Sequence, residues 1–444
     1  MKKKRGVSLG TLVMLFVTAA VLAGFFLLLP SLTGSQDIRL DAAKLAVAID
    51  QSLGQLAVSA GNLASGPQNT ALPPGILATS APFTGDEPQS QPAPSPTPVP
   101  KVRFSLCASG SVIWNSAVRK ALTQNKEPAY EILTDSIPGA MSADLSVITL
   151  EHTLIDENKL TDVNQPSALL SALRSAGVNT VSLGHTSILN AGMDGLKQTQ
   201  AAIRAAGLVP FGVYASAQER AQGTLLERQG VRIGLLHYQD ELSSTGRKQT
   251  SEEERSVALA PLSLSDMQAD ITALKNAGAQ VVVVSLCWGK PGASAPTDDQ
   301  KTLAQGLADA GADLILGTHS GVLQPVQVLS GNRGDGRYHP VLCAYSLGNL
   351  FTYDRESRSK LASILLRAEV EYDPATGCVA FENLTYTPTY AWRGKQDGRT
   401  LYRILLNDGQ TYPDFVGKDQ KSVMERCYKL VTDVMADTGI PLAK

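Results

Sequence analysis

A mixed α/β sandwich flanked by helices is predicted by three features of the stretch between Val102 and Tyr386. Short apolar strands alternate with helices rich in small residues, which indicates helices laid over a sheet. Four of those helices close on an Ala-Gly pair, and two further β segments follow the last of them.

Val102 to Ala108 and Leu145 to Leu150 read as the first strands. A helix from Pro166 to Ala176, a strand from Thr180 to Leu183 and a helix from Gly195 to Ala206 follow. Next come Val231 to His237 as strand, Ser265 to Ala277 as helix and Val281 to Leu286 as strand. Asp299 to Ala310 is a helix and Leu314 to Gly317 a strand. Ala176-Gly177, Ala206-Gly207, Ala277-Gly278 and Ala310-Gly311 each supply the glycine that tolerates a left-handed helix cap, which is shared turn chemistry and not a sequence repeat. Ala362 to Tyr372 and Cys378 to Tyr386 complete the β part of a domain spanning residues 102–393. Residues 394–444, helical from Lys421 to Thr438, read as a C-terminal appendix.

The chain before this domain has a different character. A basic tail, residues 1–5, precedes an uncharged apolar run over residues 6–29, longer than the roughly 20 residues that span a bilayer as a helix. The expected arrangement is a cytoplasmic tail, one transmembrane anchor and a domain outside the cell membrane. The competing reading, a cleaved signal peptide, needs a shorter apolar core and a small-x-small site, for which Ser31 to Ser35 is a weak match. Residues 30–65 read as a helical or disordered stalk, and residues 66–101 as a proline-rich linker that extends without a core. A net charge of −2 over 444 residues leaves no basic surplus for nucleic acid. The 5 cysteines are an odd, scattered set, so at least one lacks a partner within the chain and the others read as small apolar strand residues.

Chemistry concentrates between Pro296 and Phe351, where a helix start Pro296-Thr297-Asp298-Asp299-Gln300 is followed by Gly311-Ala312-Asp313, Gly317-Thr318-His319-Ser320-Gly321-Val322 and Tyr345-Ser346-Leu347-Gly348-Asn349-Leu350. With Cys287-Trp288-Gly289 upstream, this frame resembles the CapA family of poly-γ-glutamate and capsule-synthesis proteins, which implies a calcineurin-like metallophosphatase fold. The family's motifs run His-Trp-Gly, Pro-x-x-x-Gln, Gly-Ala-Asp, Gly-x-His-Pro-His-Val and Tyr-Ser-Leu-Gly-Asn-Phe. Three earlier motifs align as well. Gly110-Ser111 stands where the family has Gly-Asp, and Thr149-Leu150-Glu151 where it has Asn-Leu-Glu. The run His185-Thr186-Ser187-Ile188-Leu189-Asn190-Ala191-Gly192 stands where it has Asn-Asn-His-x-x-Asp-x-Gly.

The resemblance implies a site in which carboxylates and imidazoles on strand-end loops hold one or two metal ions that polarise a phosphoryl oxygen and activate water. Ser111 replaces the aspartate, Thr186 the asparagine, Ser187 a histidine, Asn190 an aspartate, Cys287 a histidine and Gly321 a histidine, while Glu151 and His319 remain. The expectation is therefore a cleft without a cofactor. The alternative is one zinc or manganese ion on Glu151, His185, Cys287 and His319. His185, two positions from the family histidine, also reads as a hydrogen-bonded loop residue. Asp194 is expected to cap the Gly195 helix and Asp313 to be architectural. Trp288 reads as core or as a stacking platform, and Asn349 as a ligand contact or a turn residue. Ser346 lacks the glycine spacing of a nucleophile elbow. No partner is assigned by spacing to His152, His237 or His339.

The resulting functional expectation is a membrane-anchored, catalytically degenerate binding or scaffold protein. Its expected partners are an anionic envelope polymer or the membrane proteins that make it, an assignment that rests on the resemblance. A weak metal-dependent phosphoesterase or amide hydrolase is the enzymatic alternative, and a cell-wall sensor on the same fold is a third.

Overall fold

Val281 to Val284 is an unbroken β-branched run with both faces apolar, and such a run is stable only as a strand covered on both sides. The computed structural model describes residues 99–113, 115–122, 130–155, 164–166 and 168–443. The predicted tail, anchor, stalk and most of the linker lie outside the described residues. Among the described residues no helix is long and apolar enough to cross a membrane.

The chain runs β1 (Val102–Val112), α1 (Ser116–Leu122), β2 (Leu145–Leu150), β3 (Thr153–Ile155), β4 (Asn164–Pro166), α2 (Leu169–Ser175), β5 (Thr180–Ser182), α3 (Gly192–Ala205) and β6 (Val209–Phe211). It continues through α4 (Ala217–Gln222), β7 (Thr224–Arg228), β8 (Val231–Gln239), α5 (Ser244–Gln249), α6 (Glu252–Ala258), α7 (Leu264–Asn276), β9 (Val281–Cys287), α8 (Asp298–Ala310) and β10 (Leu314–Thr318). The remainder is β11 (Val326–Gly331), β12 (His339–Ala344), β13 (Asn349–Phe351), β14 (Ala362–Asp373), β15 (Cys378–Gln396), β16 (Arg399–Leu406) and α9 (Lys418–Met435).

Two sheets result. The 8-stranded sheet has the order β16-β15-β14-β1-β2-β5-β6, with β13 added beside β1, and the 6-stranded sheet has the order β11-β12-β10-β9-β8-β7. Strands β1, β2, β5 and β6 are mutually parallel, as are β8, β9, β10 and β12. Because side chains alternate along a strand, each sheet buries two faces. Val281 and Val283 enter one core with Leu106, Val147, Ile233 and Leu314, between the sheets. Val282 and Val284 point the other way, against Met267 and Ile271 of α7 and Leu307 of α8. On the far side, Ile148 and Val181 meet Leu173 of α2 with Leu196 and Ile203 of α3. The predicted mixed sandwich between helix layers is thus the observed architecture, each such apolar side chain contributing roughly 1.5–3 kcal/mol on burial.

All four Ala-Gly pairs end helices as expected, with Gly177, Gly207, Gly278 and Gly311 at positive φ. A capping box between Thr297 and Gln300 starts α8. Asp194 differs from expectation: α3 begins earlier, at Gly192, which leaves Asp194 inside the first turn near Lys197 without a capping bond. Asp313 is architectural, accepting from the Val282 N–H at 2.8 Å and pairing with Arg333 at 2.8 Å. All five cysteines are free thiols, and only Cys378 is not buried.

The division at residue 393 does not exist in the fold. Strand β15 runs through that point to Gln396 and pairs with β16. Pro388 is tolerated inside β15 because β16 ends at its neighbour's partner, and the Pro388 carbonyl accepts from Asn407 instead. Met424, Cys427, Val431 and Met435 line one face of α9 and enter the same core as Trp392, Leu401 and Leu405. A chain ended at Arg393 is therefore expected to give no cooperative unfolding transition. In the full chain, Met424→Ala should cost about 2–5 kcal/mol by urea titration, and a loss under about 1 kcal/mol would mean that α9 is an accessory.

Candidate functional site

The parallel strands of both sheets end at one edge, and the segment Tyr345–Asn349 crosses there from β12 in one sheet to β13 in the other. The crossing needs glycine where it meets the strands. A Cβ on Gly110 would lie 2.0 Å from the Gly348 carbonyl oxygen, and one on Gly317 would lie 1.9 Å from that of Tyr345. Ser111 consequently sits between Thr149 and Asn349 in register, with its N–H on the Gly348 carbonyl at 3.0 Å.

Glu151 follows β2, its N–H held by the Val112 carbonyl at 3.2 Å. Burial of its carboxyl pushes the pKa up, opposed by a hydrogen bond from Ser111. Cys287 ends β9 beside Gln239 of β8 and Thr318 of β10. Burial raises its thiol pKa far above the usual range, the nearby Glu151, Glu241 and Asp240 carboxyls raise it further, and Thr318 opposes them. Burial and the neighbouring carboxyls thus both favour the neutral thiol over the thiolate. His319 occupies the left-handed region at φ 84° and faces Glu241 across 3.3 Å. A β-carbon residue held there marks stored strain, which concentrates at functional sites. Asn349 donates to the Gly321 carbonyl at 2.9 Å and the Lys360 carbonyl at 3.1 Å, so its amide ties loops together. Trp288 is 4% exposed, stacks on Tyr345 and donates to the Tyr345 carbonyl at 2.8 Å, which makes it core.

The loop after β5 is committed to internal bonds. His185 is buried with Nε2 2.8 Å from the His152 N–H and Nδ1 3.0 Å from the Ser187 N–H. A neutral imidazole offers one lone pair, so these two donors compete for a ring with nothing left for a metal. The Thr186 carbonyl accepts from the Ser243 N–H at 2.8 Å, and Asn190 takes the Ser243 hydroxyl. The structure therefore joins Ser111 to Glu151 and Asn349 to Gly321, places Cys287 in the field of Glu151, and turns His319 toward Glu241. It leaves His185 and Trp288 in structural roles. Among the described residues no three His, Cys, Asp or Glu side chains are grouped to hold a metal ion.

Glu241 and His152 escape the sequence reading. The Asp240-Glu241 pair at the end of a predicted strand was a usable signal, whereas His152 is recognisable only from its backbone, at φ 127°. His185 and His237 are buried and His152 beside them is half-buried, with His237 on the Ser285 hydroxyl at 3.0 Å and the Ser285 and Ser182 hydroxyls 3.3 Å apart between the sheets.

Residues 105–354 match the family described as bacterial capsule synthesis protein PGA_cap. The capsule biosynthesis protein CapA of Bacillus anthracis is 29% identical over 267 residues, covering 60% of this chain and 62% of its own. The PGA biosynthesis protein CapA of Bacillus subtilis (strain 168) is 30% identical over 153 residues, 29% of this chain and 37% of its own. Each match thus spans less than two thirds of the relative. Among solved structures, the calcineurin-like phosphoesterase YfkN from Bacillus subtilis aligns with 75% of this chain and 99% of its own at 12% identity and TM-score 0.33. A phosphatase from Mycoplasma pneumoniae aligns with 69% and 94% at 14% identity and TM-score 0.35.

The buried histidines set an acid limit on stability. Burial lowers His152 to about 4, His237 to about 3, and His185 well below the ordinary value. Below about pH 6.5 the unfolded chain takes up protons that the folded chain refuses, so stability present above that pH is lost toward pH 4, at up to about 1.4 kcal/mol per pH unit per group. Urea midpoints should fall over this window, and less steeply in His237→Gln; equal slopes would remove His237 from the account. Glu151 has the opposite sign, since its raised pKa disfavours the carboxylate in the folded state. Glu151→Gln should raise the midpoint at pH 7 and leave it unchanged at pH 4.

Proposed function

The chain belongs to the bacterial capsule synthesis protein family PGA_cap, and from that premise we propose that it binds an anionic envelope polymer of the poly-γ-glutamate type, outside the cell membrane, without hydrolysing it. The observation that carries the non-catalytic part is the state of the family's ligand positions. A dinuclear centre needs several anionic or imidazole donors converging on two dications. Here Ser111, Thr186, Ser187 and Gly321 carry no anionic or imidazole donor, and the His185 imidazole is caught between two backbone donors. That donor set does not fit two metal ions.

Recognition of a polyanion is supported beside the cleft, beyond β13. Arg355 and Arg393 both lie against the Tyr402 ring, 5.9 and 5.8 Å from its centroid. Arg355 donates through Nη1 to the Ala391 carbonyl, while its Nε and Nη2 are buried without a partner. Burial lowers its pKa, and the adjacent Arg393 lowers it further. The carboxylates of the surrounding loops are engaged elsewhere, Asp354 with Lys360 and Asp135 with Arg403. Arg393, by contrast, is exposed, and its guanidinium is complementary to a carboxylate, which accepts two parallel N–H bonds.

Two measurements test this reading. The full-length protein in detergent should contain no stoichiometric manganese, iron or zinc. One metal per chain, lost together with a phosphodiesterase activity in both Glu151→Ala and His319→Ala, would replace the binding reading by a rebuilt mononuclear hydrolase. In fluorescence anisotropy, labelled poly-γ-glutamate should bind the wild type, and Arg393→Lys should weaken it about tenfold, near 1.4 kcal/mol, because the charge remains but the fork is lost. Identical binding by Arg393→Lys would exclude this guanidinium as the contact.

A further inference from the structure

At the opposite end of the strands from the cleft, three side chains are joined that the proposed function does not use. Cys378 opens β15 directly after the 374–377 turn, and its Sγ lies 3.9 Å from Nδ1 of His339, the first residue of β12. His339 is 4% exposed, and its other nitrogen, Nε2, lies 2.9 Å from each carboxylate oxygen of Asp335. Asp335 is fixed in turn by the Arg337 N–H at 3.0 Å, and Arg337 reaches across to the Thr376 carbonyl at 2.9 Å, which ties the two turns together. Cys378 is the one cysteine of five that is not buried.

This order of groups has a chemical meaning. Asp335, bonded to Nε2, fixes the tautomer in which Nε2 carries the proton and Nδ1 offers its lone pair to the thiol. A thiol served by an oriented imidazole is the arrangement that generates a thiolate near neutral pH. Acyl transfer would also need N–H donors for an oxyanion, but the Cys378 N–H is spent on the Thr376 hydroxyl at 3.3 Å. Attack on a disulfide develops no oxyanion and needs only an accessible thiolate and a departing sulfur.

We propose that Cys378 is a thiol–disulfide exchange site, with His339 as its base and Asp335 as a positioning residue, and that its substrates are disulfides presented at the protein surface. The Sγ proton passes to His339 Nδ1, the thiolate attacks one sulfur of the disulfide, and the S–S bond breaks. Cys378 is left in a mixed disulfide, and the departing thiolate takes the proton back from the imidazolium. The charged groups facing the pair are Asp335 and Arg337 on one turn and Asp373 on the other.

The test uses full-length protein and the aromatic disulfide DTNB across about pH 5.5 to 8.5. One thiol per chain should react quickly, peptide mapping should place it at Cys378, and near pH 6.5 it should outpace glutathione about tenfold. Cys378→Ser should abolish the fast phase without moving the unfolding midpoint. His339→Asn should slow it about tenfold near pH 6.5 and restore the pH profile of a free thiol. Because His339 is buried, Asp335→Asn on the exposed turn provides a second arm, expected to slow the reaction several-fold with the fold intact. A fast thiol elsewhere, a rate no greater than that of glutathione, or unchanged rates in correctly folded His339→Asn and Asp335→Asn would overturn the assignment.

Discussion

The passage of Tyr345–Asn349 between the sheets is the constraint on which the rest of the molecule turns. It begins in β12, at the edge of the 6-stranded sheet's parallel set, and ends as β13 beside β1 in the other sheet. Along the way the Leu347 N–H bonds to the Gly317 carbonyl at 3.2 Å, the Ser111 N–H bonds to the Gly348 carbonyl, and the Ser363 hydroxyl takes the Leu347 carbonyl at 2.6 Å. A segment with this many backbone obligations fixes the distance between the sheets. Residues on the strand ends and loops it touches, Ser111, Gly321 and Asn349 among them, inherit their positions from it.

That dependence fixes the shape of the site independently of the side chains its loops carry. Glycine at 110 and 317 is demanded by backbone contact and cannot be exchanged without moving a sheet. A metal ligand on a loop carries no such obligation. Ser111 in place of a carboxylate retains the main-chain bond and supplies a hydroxyl for Glu151, so the loop closes on itself. Asn190 and Ser243 do the same on the neighbouring loop. Internal hydrogen bonds thus hold both loops.

The parts of this protein legible from sequence are those governed by local physics. The valine run of β9, the Ala-Gly helix ends and the capping box at Thr297 each follow from short-range rules, and each is found where the pattern puts it. Strands of three residues such as β3, β4, β6 and β13 carry no periodicity, and edge strand β11 alternates too irregularly to be read. The role of α9 was illegible because the face it covers is assembled from β14 and β15, distant in sequence. At the site, motif resemblance and not local physics singled out Ser111, Glu151, Cys287 and His319. It could not foresee that Glu241 meets His319 or that His185 is locked by His152, since both depend on loop conformations at positive φ.

The place at which the chain enters the folded domain has a mechanical consequence. Residues 99–101 lead without a turn into β1, which lies in the middle of its sheet, bonded to β14 and then β13 on one side and to β2 on the other. Tension applied from the N-terminal side and resisted at the cleft edge acts along the strand axis, so the ladders on both flanks are loaded together in shear instead of being unzipped one bond at a time. A pull from this end is thus met by a strand bonded along both flanks.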